Sequence, residues 1–123
     1  MTNKHTVSYS RGVEGENQAE QHLCKLGMSC IDRRYRSPYG EIDLIMLDQN
    51  ALVFVEVKAR SIATLQAAQA AVTPTKQRRI IQTALCFLND HPEYADHLMR
   101  FDIVSISADC IHHLPNAFQG YGW

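Results

Sequence analysis

Two acidic residues and a lysine, set into valine-rich strand sequence, carry the reactive chemistry of this chain. Asp43 lies in Gly40-Glu41-Ile42-Asp43-Leu44-Ile45, and Glu56 and Lys58 lie in Val53-Phe54-Val55-Glu56-Val57-Lys58. Strand side chains alternate with period two, so Glu56 and Lys58 share one side while Val53, Val55 and Val57 share the other. If Gln49-Asn50, or the four residues Asp48 to Ala51, form the turn, paired residue numbers sum to 99. Asp43 then stands opposite Glu56, and Glu41 opposite Lys58. Opposed Cβ atoms are roughly 4.5–5.5 Å apart, a separation at which like charges destabilise a sheet. Two facing carboxylates suit a hard cation, because magnesium takes oxygen ligands, usually a couple of carboxylates completed by water and substrate phosphate. A cation held there would polarise an oxygen of a bound group, and the lysine could steer a water, assist its deprotonation or offset developing negative charge. A plainer reading pairs Glu41 with Lys58 across an amphipathic hairpin and leaves Asp43 and Glu56 in water. Against it, Ile45, Leu47, Leu52 and Phe54 share the charged side, and a strand apolar on both faces is usually central in its sheet.

The elements that must position these groups can be read around them. Ala19, Leu23 and Leu26 make a helical stripe that predicts a helix over 13–26, ended by Gly27. Glu16 borders that stripe. It serves either the helix dipole or, if it points along the core-facing side, the acidic end of the hairpin. A first strand is predicted over Met28–Arg36, with Pro38-Tyr39-Gly40 as the turn into the hairpin. Ser61 to Ala71 reads as a loop or a poor helix. Thr73-Pro74 caps and starts a second helix that runs to about Asn89 and buries Ile81, Ala84, Leu85 and Leu88. His91-Pro92 ends it. Strands over Arg100–Ser107 and Cys110–Leu114 complete an α/β chain of order α-β-β-β-α-β-β, a mixed central sheet with helices on either side. One domain spans 12–114, between a flexible tail (1–11) and an aromatic tail (115–123). Phe118, Tyr121 and Trp123 in that last tail suit closure over the core or over a partner subunit. Tyr35 suits packing on the sheet better than stacking on a base.

The acidic residue followed by Glu-x-Lys resembles the motif of the PD-(D/E)XK nucleases, the restriction-endonuclease-like superfamily. A wider pattern resembles the YraN-like bacterial family over roughly 11–107. It comprises Gly12-x-x-Gly15-Glu16-x-x-Ala19, Tyr35-Arg36, Gly40-Glu41-Ile42-Asp43-Leu44-Ile45, Val53 through Arg60, Lys76-Gln77-Arg78-Arg79 and Arg100-Phe101-Asp102. Arg34 stands where that family often has asparagine. The acidic spacing is also similar to that of archaeal Holliday-junction resolvases. The resemblance implies a restriction-endonuclease-like core and a metal-dependent endonuclease acting on DNA, including branched or repair intermediates. Asp43, Glu56, the Val57 backbone carbonyl and Glu16 would hold Mg2+ or Mn2+, with Lys58 beside the reacting phosphate. Resolvases work as two-fold dimers, so a homodimer is the expectation by analogy. The alternatives are an accessory protein that binds nucleic acid without cutting it, and a protein-interaction subunit.

The remaining composition bounds these readings. The formal net charge of −1 argues against charge-driven coating of nucleic acid. The basic residues are nevertheless clustered, and Arg36, Arg60, Lys76 and Arg79 are candidates for holding a phosphate backbone. Lys76, Arg78 and Arg79 sit near a helix N-terminus, where cations oppose the dipole. A solvated face and a phosphate-facing surface both account for them. Cys24, Cys30, Cys86 and Cys110 form no C-x-x-C pair and read as reduced, partly buried thiols of a cytoplasmic protein. His112-His113 reads as a surface pair at a strand end. No apolar run approaches the ~18 residues of a membrane span.

Overall fold

The computed structural model describes residues 4–58, 65–107 and 110–119, without the side chains of 4–12 and 65. Five strands, β1 (Ser29–Ser37), β2 (Gly40–Asp48), β3 (Ala51–Lys58), β4 (Leu98–Ile106) and β5 (Ile111–Phe118), make one sheet in that spatial order. Neighbours are antiparallel except for β3 and β4, which are parallel. The β3–β4 connection carries α2 (Leu65–Ala71), α3 (Pro74–Asp90) and a 3-10 turn, Pro92–Tyr94. This is the mixed α/β fold and element order expected, and α2 occupies the stretch that reads as a loop or a poor helix.

Each sheet face has its own core. Ala19 and Leu23 of α1 (Lys4–Lys25) pack with Leu44, Met46, Val53, Val55 and Val104 on one side. On the other side, Ala68 of α2 and Ile80, Ile81, Ala84 and Phe87 of α3 pack with Ile45, Leu52, Phe54, Phe101 and Ile103. β3 is therefore apolar on both faces because both faces are covered. The Thr73 hydroxyl accepts from the Lys76 N–H at 3.3 Å, and Pro74 occupies the first turn of α3, so the expected helix start is present. The buried stripe is rotated from the one expected: Phe87 is fully buried, whereas Leu85 is 45% exposed.

The β2–β3 register is the one the turn dictates. Gln49 and Asn50 form a two-residue turn, and pairs run from Asp48–Ala51 to Leu44–Val55, each summing to 99. Gln49 takes φ 56°, the left-handed sense that tight hairpins favour. Beyond Leu44 the alternation of β2 breaks. Ile42 and Ile45 belong to the α3-side core, and Leu44 and Met46 to the α1-side core. Strict period two would put Ile42 and Leu44 on one face. The facing strand is irregular at the same level: Arg34 has φ 52°, and the consecutive residues Arg33 and Arg34 both reach α1, at Glu20 and Glu16.

Other expectations need correction. α1 begins at Lys4, so much of the expected flexible tail is helical, as a segment free of proline allows. β5 extends to Phe118, past the expected strand end at Leu114, because Phe118 packs on Phe101 at 5.0 Å between ring centroids. Tyr121 and Trp123 lie outside the described residues, as does Arg60. All four cysteines are free as expected, but Cys24 and Cys110 are exposed. Among the described residues no helix is long and apolar enough to cross a membrane.

Candidate active site

The break in β2 creates the site. Asp43 does not complete the ladder with Glu56. Instead its Oδ2 accepts a 2.7 Å hydrogen bond from the Val57 N–H. The carboxylate thus takes the place of a backbone acceptor where the two strands part. One oxygen is fixed by the backbone, and the carboxyl group sits beside Glu56. Glu56 stays on the α3 side, in phase with Leu52 and Phe54, and the Lys58 Nζ lies 3.5 Å from its Oε1. The plain hairpin reading fails at Glu41, which pairs with Arg36 at 3.2 Å rather than with Lys58.

Both acids are held in their neutral form more strongly than free carboxyls. Burial, and then the charge of Glu56, push the Asp43 carboxyl up to about 8, although the Val57 N–H opposes the rise. Burial also raises Glu56, against the lowering influence of Lys58 and Lys76. Two acids that resist ionising together are an unfavourable feature for a stable protein and a suitable one for a cation, which offsets both charges at once. Among the described residues no three His, Cys, Asp or Glu side chains gather as a metal site. The chain offers two carboxylates, which matches magnesium's habit of binding one or two and completing its shell elsewhere. The donor set therefore fits a hard divalent cation.

Positive charge faces Glu56 across a small cavity. Gly40, Glu41, Glu56, Lys76, Arg79 and Ile80 line a space of about 190 Å³ between the end of the sheet and the first half of α3. The charge of Lys58, and then burial, lower the Lys76 amine below its usual value. Of the three cations at the start of α3, Lys76 and Arg79 line this cavity, whereas Arg78 is exposed and donates to the Thr75 hydroxyl.

The structure brings together Asp43, Glu56, Lys58, Lys76 and Arg79. Glu16 is close enough for its charge to raise both acids, but its Oε1 accepts from the Arg34 Nε at 2.7 Å, so it approaches the pair as one half of an ion pair. The Arg36 side chain is 75% exposed on the far side of Glu41. Tyr35 packs edge-on against Phe87 at 5.2 Å and donates its hydroxyl to Asp90, the structural role expected.

A second polar cluster escaped the sequence reading. Asp102, fully buried, accepts from the Arg100 guanidinium at 2.9 and 3.0 Å and from the Asn116 N–H at 3.0 Å, and lies 2.7 Å from His113 Nε2. Burial alone would raise its carboxyl, yet hydrogen bonds from His113, Arg100 and Asn116 hold it below the usual range. His113 is therefore no surface residue. Its acidic partner lies eleven positions away and meets it only through the β4–β5 pairing. Arg100-Phe101-Asp102 in the resemblance pattern was the available signal.

Residues 15–106 match Uncharacterised protein family UPF0102. The chain is 46% identical over 114 residues to a UPF0102 protein of Rhodopseudomonas palustris (strain BisB18), covering 92% of this chain and 83% of that one. It is 46% identical over 107 residues to one from Saccharophagus degradans, covering 87% and 91%. It is 47% identical over 98 residues to one from Coxiella burnetii (strain RSA 493 / Nine Mile phase I), covering 80% and 82%.

Proposed function

The chain belongs to Uncharacterised protein family UPF0102, the YraN-like bacterial family its motifs resemble, and we propose that it is a metal-dependent nuclease hydrolysing phosphodiester bonds in DNA. The observation that supports this most is the parting of β2 and β3, which seats Asp43 against the Val57 N–H and beside Glu56, with Lys58 3.5 Å from Glu56. Asp43, Glu56 and the Val57 carbonyl would hold Mg2+ or Mn2+. When bound, such an ion would supply charge compensation and Lewis-acid polarisation of a phosphoryl oxygen.

The protein's own groups do the rest. The Val57 N–H fixes one Asp43 oxygen and leaves the other to face the site. Glu56 positions the Lys58 ammonium, which offsets negative charge as it grows on the phosphoryl oxygens or holds a proton for the leaving oxygen. Lys76 and Arg79 attract the flanking backbone phosphates, together with Arg36 and Arg60. Glu16, held by Arg34, acts on the acids through its charge. Branched or repair intermediates are the substrates suggested by the similarity to resolvases, and paired cuts in them would call for a homodimer.

The test incubates purified protein with labelled duplex, single-stranded, flap and four-way DNA, and with RNA, in magnesium or manganese, beside the Asp43→Ala and Lys58→Ala proteins. Cleavage by the wild type that both substitutions abolish is the expected result. Cleavage that survives both overturns the assignment. Salt-sensitive binding with no cleavage favours an accessory protein that binds without cutting.

A further inference from the structure

A cavity of about 500 Å³ lies apart from the acidic site. It lies farther along α3, between that helix and the β1–β2 turn, and is lined by Tyr35, Arg36, Tyr39, Gln82, Leu85 and Asn89 among others. Tyr39 and Leu85, on opposite walls, are 50% and 45% exposed. Two large side chains thus leave apolar surface open in one concavity. The walls also carry what a flat heteroaromatic ring needs. Tyr39 offers a π-face, and the Gln82 and Asn89 amides offer both donors and acceptors. The Arg36 side chain, 75% exposed and paired with Glu41 at 3.2 Å, lies at the rim, and Asp90, which accepts from the Tyr35 hydroxyl, completes the wall.

The cavity adjoins the acidic site. Tyr39 lines one and the next residue, Gly40, lines the other. On α3, Lys76 and Arg79 face the acids, and Gln82, Leu85 and Asn89 face the aromatic cavity. From Lys76 to Cys86 the helix rises about 15 Å, the span of a few nucleotides. A strand whose phosphates meet Lys76 and Arg79 would carry a nearby base to Tyr39. A paired base could not enter, because its edge and both faces are engaged in the duplex.

We propose that the cavity between the β1–β2 turn and α3 receives an unpaired nucleobase, stacked on Tyr39, beside the phosphate held at the acidic site. This rests on the nuclease reading for its substrate class and adds to it a requirement for unpaired nucleotides near the cut. Single strands, flaps and gapped ends are then substrates, and continuous duplex is a poor one.

The experiment measures binding in EDTA, to separate it from cleavage, with the full chain and fluorescent duplex, single-stranded and flap DNA. A second label, 2-aminopurine at successive unpaired positions, reports stacking by quenching. Tyr39→Ala removes the platform, Tyr39→Phe keeps it, and both change a half-exposed turn residue. The expected result is tighter binding of unpaired DNA than of duplex. Tyr39→Ala should lose roughly 5- to 150-fold in affinity for unpaired DNA together with the quenching at one position, and Tyr39→Phe should retain both. Unpaired DNA bound equally by wild type and Tyr39→Ala overturns the cavity proposal. If Lys58→Ala abolishes cleavage in that case, the nuclease reading stands. Tyr39-dependent binding with cleavage indifferent to Asp43→Ala and Lys58→Ala would leave the base site in place and remove the nuclease. Failure to bind any nucleic acid overturns both.

Discussion

Replacing Asp43 by asparagine should make the metal-free protein more stable at neutral pH, an unusual outcome for a substitution at a buried polar site. The Asp43 carboxyl titrates near 3.8 when exposed and at about 8 in the fold, through burial and then the charge of Glu56. Between those values the folded chain keeps a proton that the unfolded chain has lost. The stability conferred by that retained proton is complete below the lower value and is lost as pH rises through the upper one, at about 1.4 kcal/mol per pH unit. From pH 5 to pH 7.5 the loss is about 3 kcal/mol, a large share of the roughly 5–15 kcal/mol that holds a domain together. The amide introduced by Asp43→Asn would not titrate, and its side-chain oxygen could still accept from the Val57 N–H. Urea and thermal melts in EDTA should therefore show wild-type stability falling across pH 5–8 and a flatter profile for Asp43→Asn. The gap near pH 7.5 corresponds to a melting-temperature difference on the order of 10 °C. Magnesium should close much of that gap by stabilising the wild type above pH 7 and leaving Asp43→Asn unmoved, since a ligand raises stability only through the state it binds. Parallel profiles for the two proteins in EDTA would refute the argument that Asp43 carries the strained charge. Equal magnesium stabilisation of both would place the ion elsewhere.

Glu16→Gln removes one of the charges that raise Asp43, so the Asp43 midpoint should fall, as read by carboxyl NMR titration; an unmoved midpoint would separate Glu16 from the site. Asp102→Ala leaves Arg100 and His113 without their buried partner and should cost about 3–5 kcal/mol in urea melts. Because Asp102 is held below its ordinary range, its contribution is present above pH 3.8 and lost as pH falls through the depressed value, so only the acid limb of the stability profile should report it. Phe87→Ala empties the contact between Phe54, Tyr35 and His91 and should cost about 3–5 kcal/mol, with no change in the pH slope assigned to Asp43.

What the sequence made legible follows from what is local. The two-residue turn and period-two alternation fix the β2–β3 register from 44 to 55, and Thr73-Pro74 fixes the start of α3. The face of α3 was harder to read because two stripes satisfy the helical period. One contains Ile81, Ala84, Leu85 and Leu88. The other contains Ile80, Ala84 and Phe87. The bulk of Phe87, received between Phe54 and Tyr35, turns the helix so that Ile80, Ile81, Ala84 and Phe87 are buried together and Leu85 alone of the first stripe is left open over the aromatic cavity. No helical pattern contains that information, since it depends on what the sheet presents. The same is true of His113, whose partner is brought to it by strand pairing. The site itself lies where alternation fails. Arg34 must adopt φ 52°, a left-handed conformation that costs most residues about 1–2 kcal/mol and that asparagine tolerates better. Here arginine accepts the strained backbone and in return reaches Glu16 at 2.7 Å. A regular β2 would have paired Asp43 with Glu56 and sealed both into a ladder. The irregularity opposite Arg34 turns Asp43 to the Val57 N–H and opens the strands, so the residue that breaks the rules of the strand is the one that frees a carboxyl beside Glu56.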